Sequence, residues 1–236
     1  NRLIGEDRLL TGPEAGITRD SIALDWSYRG RPLKLVDTAG MRRRARINEK
    51  LERLSGADAR RAIRYAQVVA LLLDATDMLE KQDLAIARHT IDEGRALVIV
   101  VNKWDLGLEE EMTVEKWTKY LFNTFATMRH VPIAFLTAQA GKNVKPLVNL
   151  AQTIFKQSRI RVPTAEINKV VRAALQSNAP PYRRNKRPKI FFATQVSVEP
   201  PTIVLKCNDP GLFDETWKRY LLGVLREKLP FHEVPI

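Results

Sequence analysis

Apolar and polar residues alternate along two short stretches, Ser21 to Tyr28 and Arg31 to Asp37, with Arg29-Gly30 between them. That pattern predicts a hairpin of two antiparallel strands. The period then changes. Ala57 to Gln67 reads as helix and leads into the apolar run Val68 to Leu73, which ends on Asp74. Gln82 to Glu93 carries helical spacing and stops at Gly94, a residue suited to a helix C-terminus. Ala96 to Val101 is a second apolar run, ending on Asn102. Val114 to Met128, Pro132 to Leu136 and Val144 to Gln157 read in turn as helix, strand and helix. Continuous apolar strands separated by amphipathic helices imply a mostly parallel sheet covered on both faces, an α/β architecture. Ligands of such sheets bind beyond the carboxyl ends of the strands, which points to Asp37, Asn102 and Thr137.

After about Arg159 the pattern changes again. Thr164 is placed to cap a helix running to Asn178. Pro180 to Lys189 is a basic loop bounded by prolines. Two strands follow, Ile190 to Val198 and Thr202 to Cys207, then a turn at Asn208-Asp-Pro-Gly211. Phe213 to Leu229 has Phe213, Trp217, Leu221 and Leu225 at helical spacing, and a last strand is expected near Val234. The organisation expected is an α/β domain over 1–159 and a small α+β domain over 160–236.

Composition narrows the class. Hydrophobic residues make up 44% and charged residues 28%, a globular balance. The apolar runs are far shorter than the ~20 residues of a membrane span, so no membrane partner is expected. The single cysteine, Cys207, excludes an internal disulfide and fits a reducing, cytoplasmic location. His89, His130 and His232 are isolated, so no Cys/His metal cluster is expected. The chain opens on Asn1 with no secretory pattern, which reads as a cut or processed start. Net charge is +12, and residues 160–236 alone hold 13 Lys+Arg against 7 Asp+Glu. A basic excess favours a polyanionic partner, nucleic acid being the commonest; a solvated basic surface is the plain alternative.

Four segments carry candidate chemistry. Asn102-Lys-Trp-Asp105 closes a buried strand. Asp105 there could accept two hydrogen bonds from the N1–H and amine of guanine, a donor pair adenine lacks. Asn102 could reach the other base edge or brace the neighbouring loop, and the Lys103 stem could lie along the base. Trp104 completes the segment. Asp37-Thr-Ala-Gly40 closes the hairpin, where Asp37 could hold Mg²⁺ directly or through water and Gly40 lets a γ-phosphate approach the backbone. Thr38, Ala39 and Met41 belong to the same candidate nucleotide-binding segment. Thr18, in Gly16-Ile-Thr-Arg-Asp20, could give its hydroxyl to Mg²⁺ and its amide to the γ-phosphate. In Leu136-Thr-Ala-Gln-Ala-Gly141, the Ala138 amide next to Thr137 could bind the guanine carbonyl. Each taken alone has a bland reading as a polar loop or turn.

Together, in this order and strand context, they resemble a Ras-like GTPase, and more closely the Der (EngA) family of bacterial GTPases. The residues behind that resemblance are Gly16 to Asp20, Asp37-Thr-Ala-Gly-Met-Arg-Arg-Arg44, Val98 to Asp105 and Trp217-Lys-Arg-Tyr-Leu221. The match covers nearly the whole chain, as the family's second GTPase domain followed by its KH-like domain. It implies GTP/GDP and Mg²⁺ as ligands, a role in large ribosomal subunit assembly with ribosomal RNA as partner, and a first GTPase domain not contained in this chain.

The sequence also departs from what a complete GTPase site needs. No G-x-x-x-x-G-K-[ST] occurs in the 236 residues, so the phosphate loop and the first strand of the sheet are missing from them. Loss of that strand is expected to expose a hydrophobic neighbour. Met41 stands where Ras-like enzymes often place a water-orienting glutamine. The resemblance implies K⁺ in its stead, and no catalytic base is named. The second domain lacks a G-x-x-G loop, so candidate RNA contacts are Arg183, Arg184, Lys186, Arg187 and Lys189, with a solvated or docked loop as the alternative. Arg42, Arg43 and Arg44 follow the Asp37 segment and could touch RNA or a neighbouring domain, or form a disordered basic loop. Two functions are therefore carried forward. One is a GTP-hydrolysing switch whose present form binds nucleotide poorly. The other is an RNA- or ribosome-binding module with a non-functional nucleotide site.

Overall fold

The computed structural model describes residues 22–37, 60–77, 79–125 and 128–236, without the side chains of Ile22 and Asp37. The chain forms two compact units, Asn1–Leu150 and Ala151–Ile236. That division falls inside a helix, ahead of the 159/160 position suggested by the change in sequence pattern.

In the first unit β1 (Ile22–Tyr28) and β2 (Arg31–Asp37) form the expected antiparallel hairpin, with Tyr28 opposite Arg31 and Ile22 opposite Asp37. The two turn residues both have positive φ, 52° at Arg29 and 74° at Gly30. A two-residue turn of this hand matches the twist of the strands it joins. A separate parallel sheet has the order β3 (Val68–Asp74), β4 (Ala96–Asn102), β5 (Ile133–Phe135). Residues 60–65 are helical (α1) and lead into β3. Helix α2 (Lys81–Asp92) starts with a capping box in which the Glu80 amide donates to Asp83 Oδ2 at 3.0 Å. It stops ahead of Gly94, whose φ of 68° suits glycine. Helix α3 (Trp104–Glu109) is short. Helix α4 (Val114–Thr124) is capped by Thr113, whose hydroxyl accepts the Lys116 amide at 3.2 Å, and ends sooner than the apolar pattern suggested.

Strand β4 is buried from Ala96 through Val101, as an unbroken apolar run requires. The core around it gathers Leu71, Leu73, Ile99, Trp117, Leu121 and Phe125. Strand β3 corrects one expectation: Leu71 and Leu73 are buried, but Leu72 is 56% exposed. Among the described residues β3 pairs along one edge only, and the face carrying Ala70 and Leu72 is open.

Helix α5 (Val144–Ser158) contains the division between units. The second unit then runs α6 (Thr164–Ser177), β6 (Ile190–Ser197), β7 (Thr202–Cys207), a 3₁₀ turn (Pro210–Leu212) and α7 (Glu215–Lys228). Three side-chain amides hold it together. Asn168 donates to the Ala193 carbonyl at 2.7 Å and accepts the Ala193 amide at 3.0 Å, standing in for a neighbouring strand along β6. Gln195 is buried, accepts the Val162 amide at 2.8 Å, and donates to the Ile160 and Ser197 carbonyls, each at 3.0 Å. Asn208 accepts the Lys189 amide and donates to the Arg187 carbonyl, both at 2.9 Å.

Two details differ from the sequence reading. Pro163, not Thr164, occupies the N-cap of α6, and the Thr164 hydroxyl instead meets that of Thr194 at 3.0 Å. No strand forms near Val234; the residue is buried in an irregular segment, its carbonyl accepting from Arg226 at 3.3 Å.

The packing makes a paired prediction. Leu121→Ala, at a fully buried position, should cost about 2–5 kcal/mol. Leu72→Ala, on the open face, should stay near ~0.5 kcal/mol. Urea unfolding of both variants checks this, and similar losses would mean that β3 is covered after all.

Candidate functional site

Parallel register sets Asp74 beside Asn102 at the carboxyl ends of β3 and β4. The chain leaves β4 through Lys103, a non-glycine residue in the left-handed region with φ 56°. That conformation costs about 1–2 kcal/mol and persists only where neighbours fix it. Here the Ala75 amide donates to the Asn102 carbonyl at 2.9 Å, and the Trp104 amide to the Leu136 carbonyl at 3.1 Å. The Trp104 ring packs on Phe135 with centroids 4.5 Å apart, so this residue serves as a brace. Gly107, on α3, is needed for the close approach to β3. A Cβ there would lie 3.0 Å from the Ala75 Cβ and 3.4 Å from the Trp104 ring.

The segments 102–105 and 137–138 meet. Asn102 Oδ1 accepts the Ala138 amide at 3.0 Å. Of the two roles the sequence left open for Asn102, the structure displays the loop brace. The Ala138 amide, expected to face a base carbonyl, is thereby committed to Asn102. Thr137 is buried; its hydroxyl accepts the Asp105 amide and donates to Asp105 Oδ1, both at 3.3 Å. Asp105 itself is exposed, and its Oδ2 takes no hydrogen bond among the described residues. This arrangement offers a fixed carboxylate acceptor at the mouth of the sheet, suited to a ligand edge carrying two adjacent N–H donors.

Lys103 is held by Asp74, with Nζ 2.6 Å from Oδ2. Asp74 Oδ1 accepts the Thr76 amide at 3.1 Å and the Thr76 hydroxyl at 2.9 Å. Partial burial pushes the Asp74 carboxyl up. Hydrogen bonds from Lys103 and Thr76, with the Lys103 charge, outweigh it and hold the carboxyl below its ordinary value. Sequence reasoning did not include Asp74 in the site. The rule that selected Asn102, a polar residue at the carboxyl end of a parallel strand, would have found it.

Other candidates stand apart. Thr18, Thr38, Ala39, Gly40, Met41, Arg42, Arg43 and Arg44 lie outside the described residues, and Asp37 ends β2 without a described side chain. Among the described residues no group of three or more His, Cys, Asp or Glu could hold a metal ion, and no helix is long and apolar enough to cross a membrane. In the second unit, Arg183, Arg184, Lys186, Arg187 and Lys189 are all exposed. They sit on a tight turn in which Arg183 and Lys186 exchange backbone hydrogen bonds of 3.1 and 2.8 Å. Arg184 and Asn185 have φ of 50° and 55°.

Comparison with known proteins adds to this geometry. Residues 1–103 match the model of 50S ribosome-binding GTPases, and residues 161–236 that of the C-terminal KH-domain-like region of EngA bacterial GTPases. All of the chain aligns with the GTPase Der of Rhodopirellula baltica at 40% identity, covering 52% of that protein. It aligns with the GTPase Der of Novosphingobium aromaticivorans at 46%, covering 52%, and with that of Brucella melitensis biotype 2 at 45%, covering 49%. The chain thus spans about half the length of the curated relatives it matches. A crystal structure of Era with MgGDPNP and nucleotides 1506–1542 of 16S ribosomal RNA shares the fold, with TM-score 0.55 and 18% identity over 97% of this chain and 82% of that one. A point variant of Aquifex aeolicus Era bound to GDP·AlF4⁻ gives 0.53 and 17% over 97% and 82%.

Two substitutions test the corner built by β3 and α3. Gly107→Ala should fall short of the ~1 kcal/mol that alanine ordinarily gains over glycine in a helix, as urea unfolding can check, because its methyl would sit 3.0 Å from the Ala75 Cβ. Asp74→Asn tests the charge pair. A carboxyl held below its ordinary value stabilises the fold above the unfolded pKa of about 3.9, and that gain is lost as pH falls through the folded value. The stability gap between wild type and variant should therefore be largest near neutrality and close in acid. A gap independent of pH would mean the pair contributes nothing.

Proposed function

The chain belongs to the Der (EngA) family of GTPases, and from that premise we propose that it supplies the base-reading part of a GTP-binding, GTP-hydrolysing switch. Its basic KH-like domain would engage the large ribosomal subunit, in the cytoplasm. The observation that carries the nucleotide reading is the double stitch between 102–105 and 137–138, which fixes the Asp105 carboxylate beside the strand end. In this reading Asp105 accepts from the N1–H and amine of guanine, while Lys103, kept in place by Asp74, lays its stem along the base. Asn102, Trp104 and Thr137 hold the loops, and Ala138 meets the base carbonyl if its amide is shared with Asn102. Thr18 and Asp37 would hold Mg²⁺ and Gly40 would sense the γ-phosphate, with Thr38, Ala39 and Met41 in the same nucleotide-binding segment. Mg²⁺, when bound, would neutralise charge on the β- and γ-phosphate oxygens. Methionine has no group to orient water, and K⁺ is the ion that the family resemblance puts in that role.

Nucleotide binding by these 236 residues alone should be weak. They contain no G-x-x-x-x-G-K-[ST] segment, whose amides and lysine would hold the phosphates. Charge-assisted hydrogen bonds contribute roughly 1.5–3 kcal/mol each. Three of them at ~1.4 kcal/mol per tenfold come to about a thousandfold or more in affinity. A second reading is an RNA- or ribosome-binding module with a non-functional nucleotide site; a G-x-x-x-x-G-K-[ST] segment upstream of Asn1 would favour the switch, and its absence there the module. The ribosomal partner is supported by the matched family's description and by the RNA named with Era.

Fluorescent GDP titration separates the two readings. It should be run on this chain and on the chain extended with a relative's phosphate-loop segment. Tight binding only after extension supports the switch; none in either supports the module. In the extended form, Asp105→Asn should shift preference from GTP toward xanthosine triphosphate. Unchanged preference would remove Asp105 from base reading.

A further inference from the structure

The corner between β3 and β4 gives Lys103 two carboxylate neighbours, Asp74 across the sheet and Asp105 two residues on along the chain. Each carboxylate spends its Oδ1 on a threonine. Asp74 Oδ1 accepts the Thr76 amide and hydroxyl at 3.1 and 2.9 Å, and Asp105 Oδ1 accepts the Thr137 hydroxyl at 3.3 Å. The two Oδ2 atoms differ. That of Asp74 meets Lys103 Nζ at 2.6 Å, and that of Asp105 takes no hydrogen bond among the described residues.

Lys103 is a cation that either carboxylate could claim. Its ammonium sits on a long flexible stem, and the side chain is 48% exposed. Burial favours the pairing with Asp74. The Asp74 side chain is 18% exposed, whereas Asp105 is exposed, and a partly buried pair is screened less by water and salt. Asp74 is also held independently of the lysine, through its two bonds from Thr76. An ammonium released from Asp74 would find Asp105 Oδ2 as an unoccupied anion two residues away. Charge-assisted bonds of this kind are among the stronger hydrogen bonds. A carboxylate oxygen capped by an ammonium is no longer open to an incoming neutral N–H donor.

We propose that Asp74 is a specificity-determining positioning residue: by holding the Lys103 ammonium it keeps Asp105 Oδ2 open for guanine. The proposal rests on the base-reading assignment of Asp105 above and adds the condition under which that carboxylate works. Guanine brings two donors, its N1–H and its amine. Asp105 Oδ1 is already shared with Thr137, so Oδ2 is the acceptor with full capacity. Without the Asp74 charge, Lys103 turns to Asp105, and the site presents ammonium donors where it had an acceptor. The guanine amine then faces donors. Xanthine carries a carbonyl at that position, which such a donor suits. Asp74 touches no base in this account and acts through Lys103 alone.

The direct check needs no nucleotide. In a crystal structure of the Asp74→Asn variant of this chain, Lys103 Nζ should lie within ~4 Å of an Asp105 carboxylate oxygen, the reach of an ion pair. An ammonium left in solvent overturns the capture. The functional check titrates fluorescent GDP and fluorescent xanthosine diphosphate against the chain extended with the phosphate-loop segment. Asp74→Asn and Asp74→Ser remove the charge in two ways. Each should weaken GDP about tenfold while xanthosine diphosphate stays within ~threefold of its wild-type affinity. Adding Lys103→Met keeps an unbranched stem and removes the ammonium. It should return the ratio of the two affinities to within ~threefold of that in the Lys103→Met single variant. Equal losses for both nucleotides, or a ratio that Lys103→Met does not restore, mean that Asp74 only stabilises the fold, and overturn the proposal. If Asp105→Asn shifts the preference in this assay and the Asp74 variants do not, this proposal alone falls. If Asp105→Asn leaves the preference unchanged, base reading falls and this proposal with it.

Discussion

The first unit depends on β4 being buried along its length. A strand flanked on both edges by parallel neighbours and covered on both faces has no freedom to slide, because a one-residue slip would move its side chains to the wrong surfaces. Its last residue, Asn102, is therefore delivered to a fixed point. From there the left-handed turn at Lys103, the brace to Ala138 and the Thr137–Asp105 pair follow as short-range consequences. The fixed position of the Asp105 carboxylate comes from the strand behind the loop as much as from the loop.

Much of this was legible in the sequence because it is local. The hairpin at Arg29-Gly30, the stop at Gly94 and the strand ending in Asn102 each have a signal within a few residues. The partners of the site residues did not. That Asn102 would hold Ala138 and Lys103 would reach Asp74 depends on register between strands far apart in sequence, which propensity does not encode. Leu72 misled for a related reason. An apolar run reads the same whether one or both faces are covered, and only the neighbours decide. The Thr164 cap was displaced because its hydroxyl found Thr194 across the unit, a tertiary bond outcompeting a local one.

The second unit solves a different problem. Two strands and two helices of this size leave backbone groups along the strand edge and in the connecting segments that need partners. Asn168, Gln195 and Asn208 supply them, each side chain satisfying more than one backbone group at once. Gln195 is the costliest of the three to lose, because its removal leaves the buried Val162 amide without a partner, whereas the Asn208 bonds lie in exposed surroundings. Asn208 also fastens the C-terminal end of the charged loop 183–189, while Arg183 and Lys186 bond each other across its turn.

The conformation of Lys103 restricts what this corner can become by mutation. The residues that adopt its backbone most easily are glycine, asparagine and aspartate, and none of them carries the positive charge that Asp74 meets. A chain drifting toward an easier backbone there would leave the Asp74 carboxylate with only its Thr76 partners, and one that kept the charge would keep the strain. Substitution at 103 therefore trades a charge pair against a backbone conformation, and what suits position 74 depends on which of the two is kept.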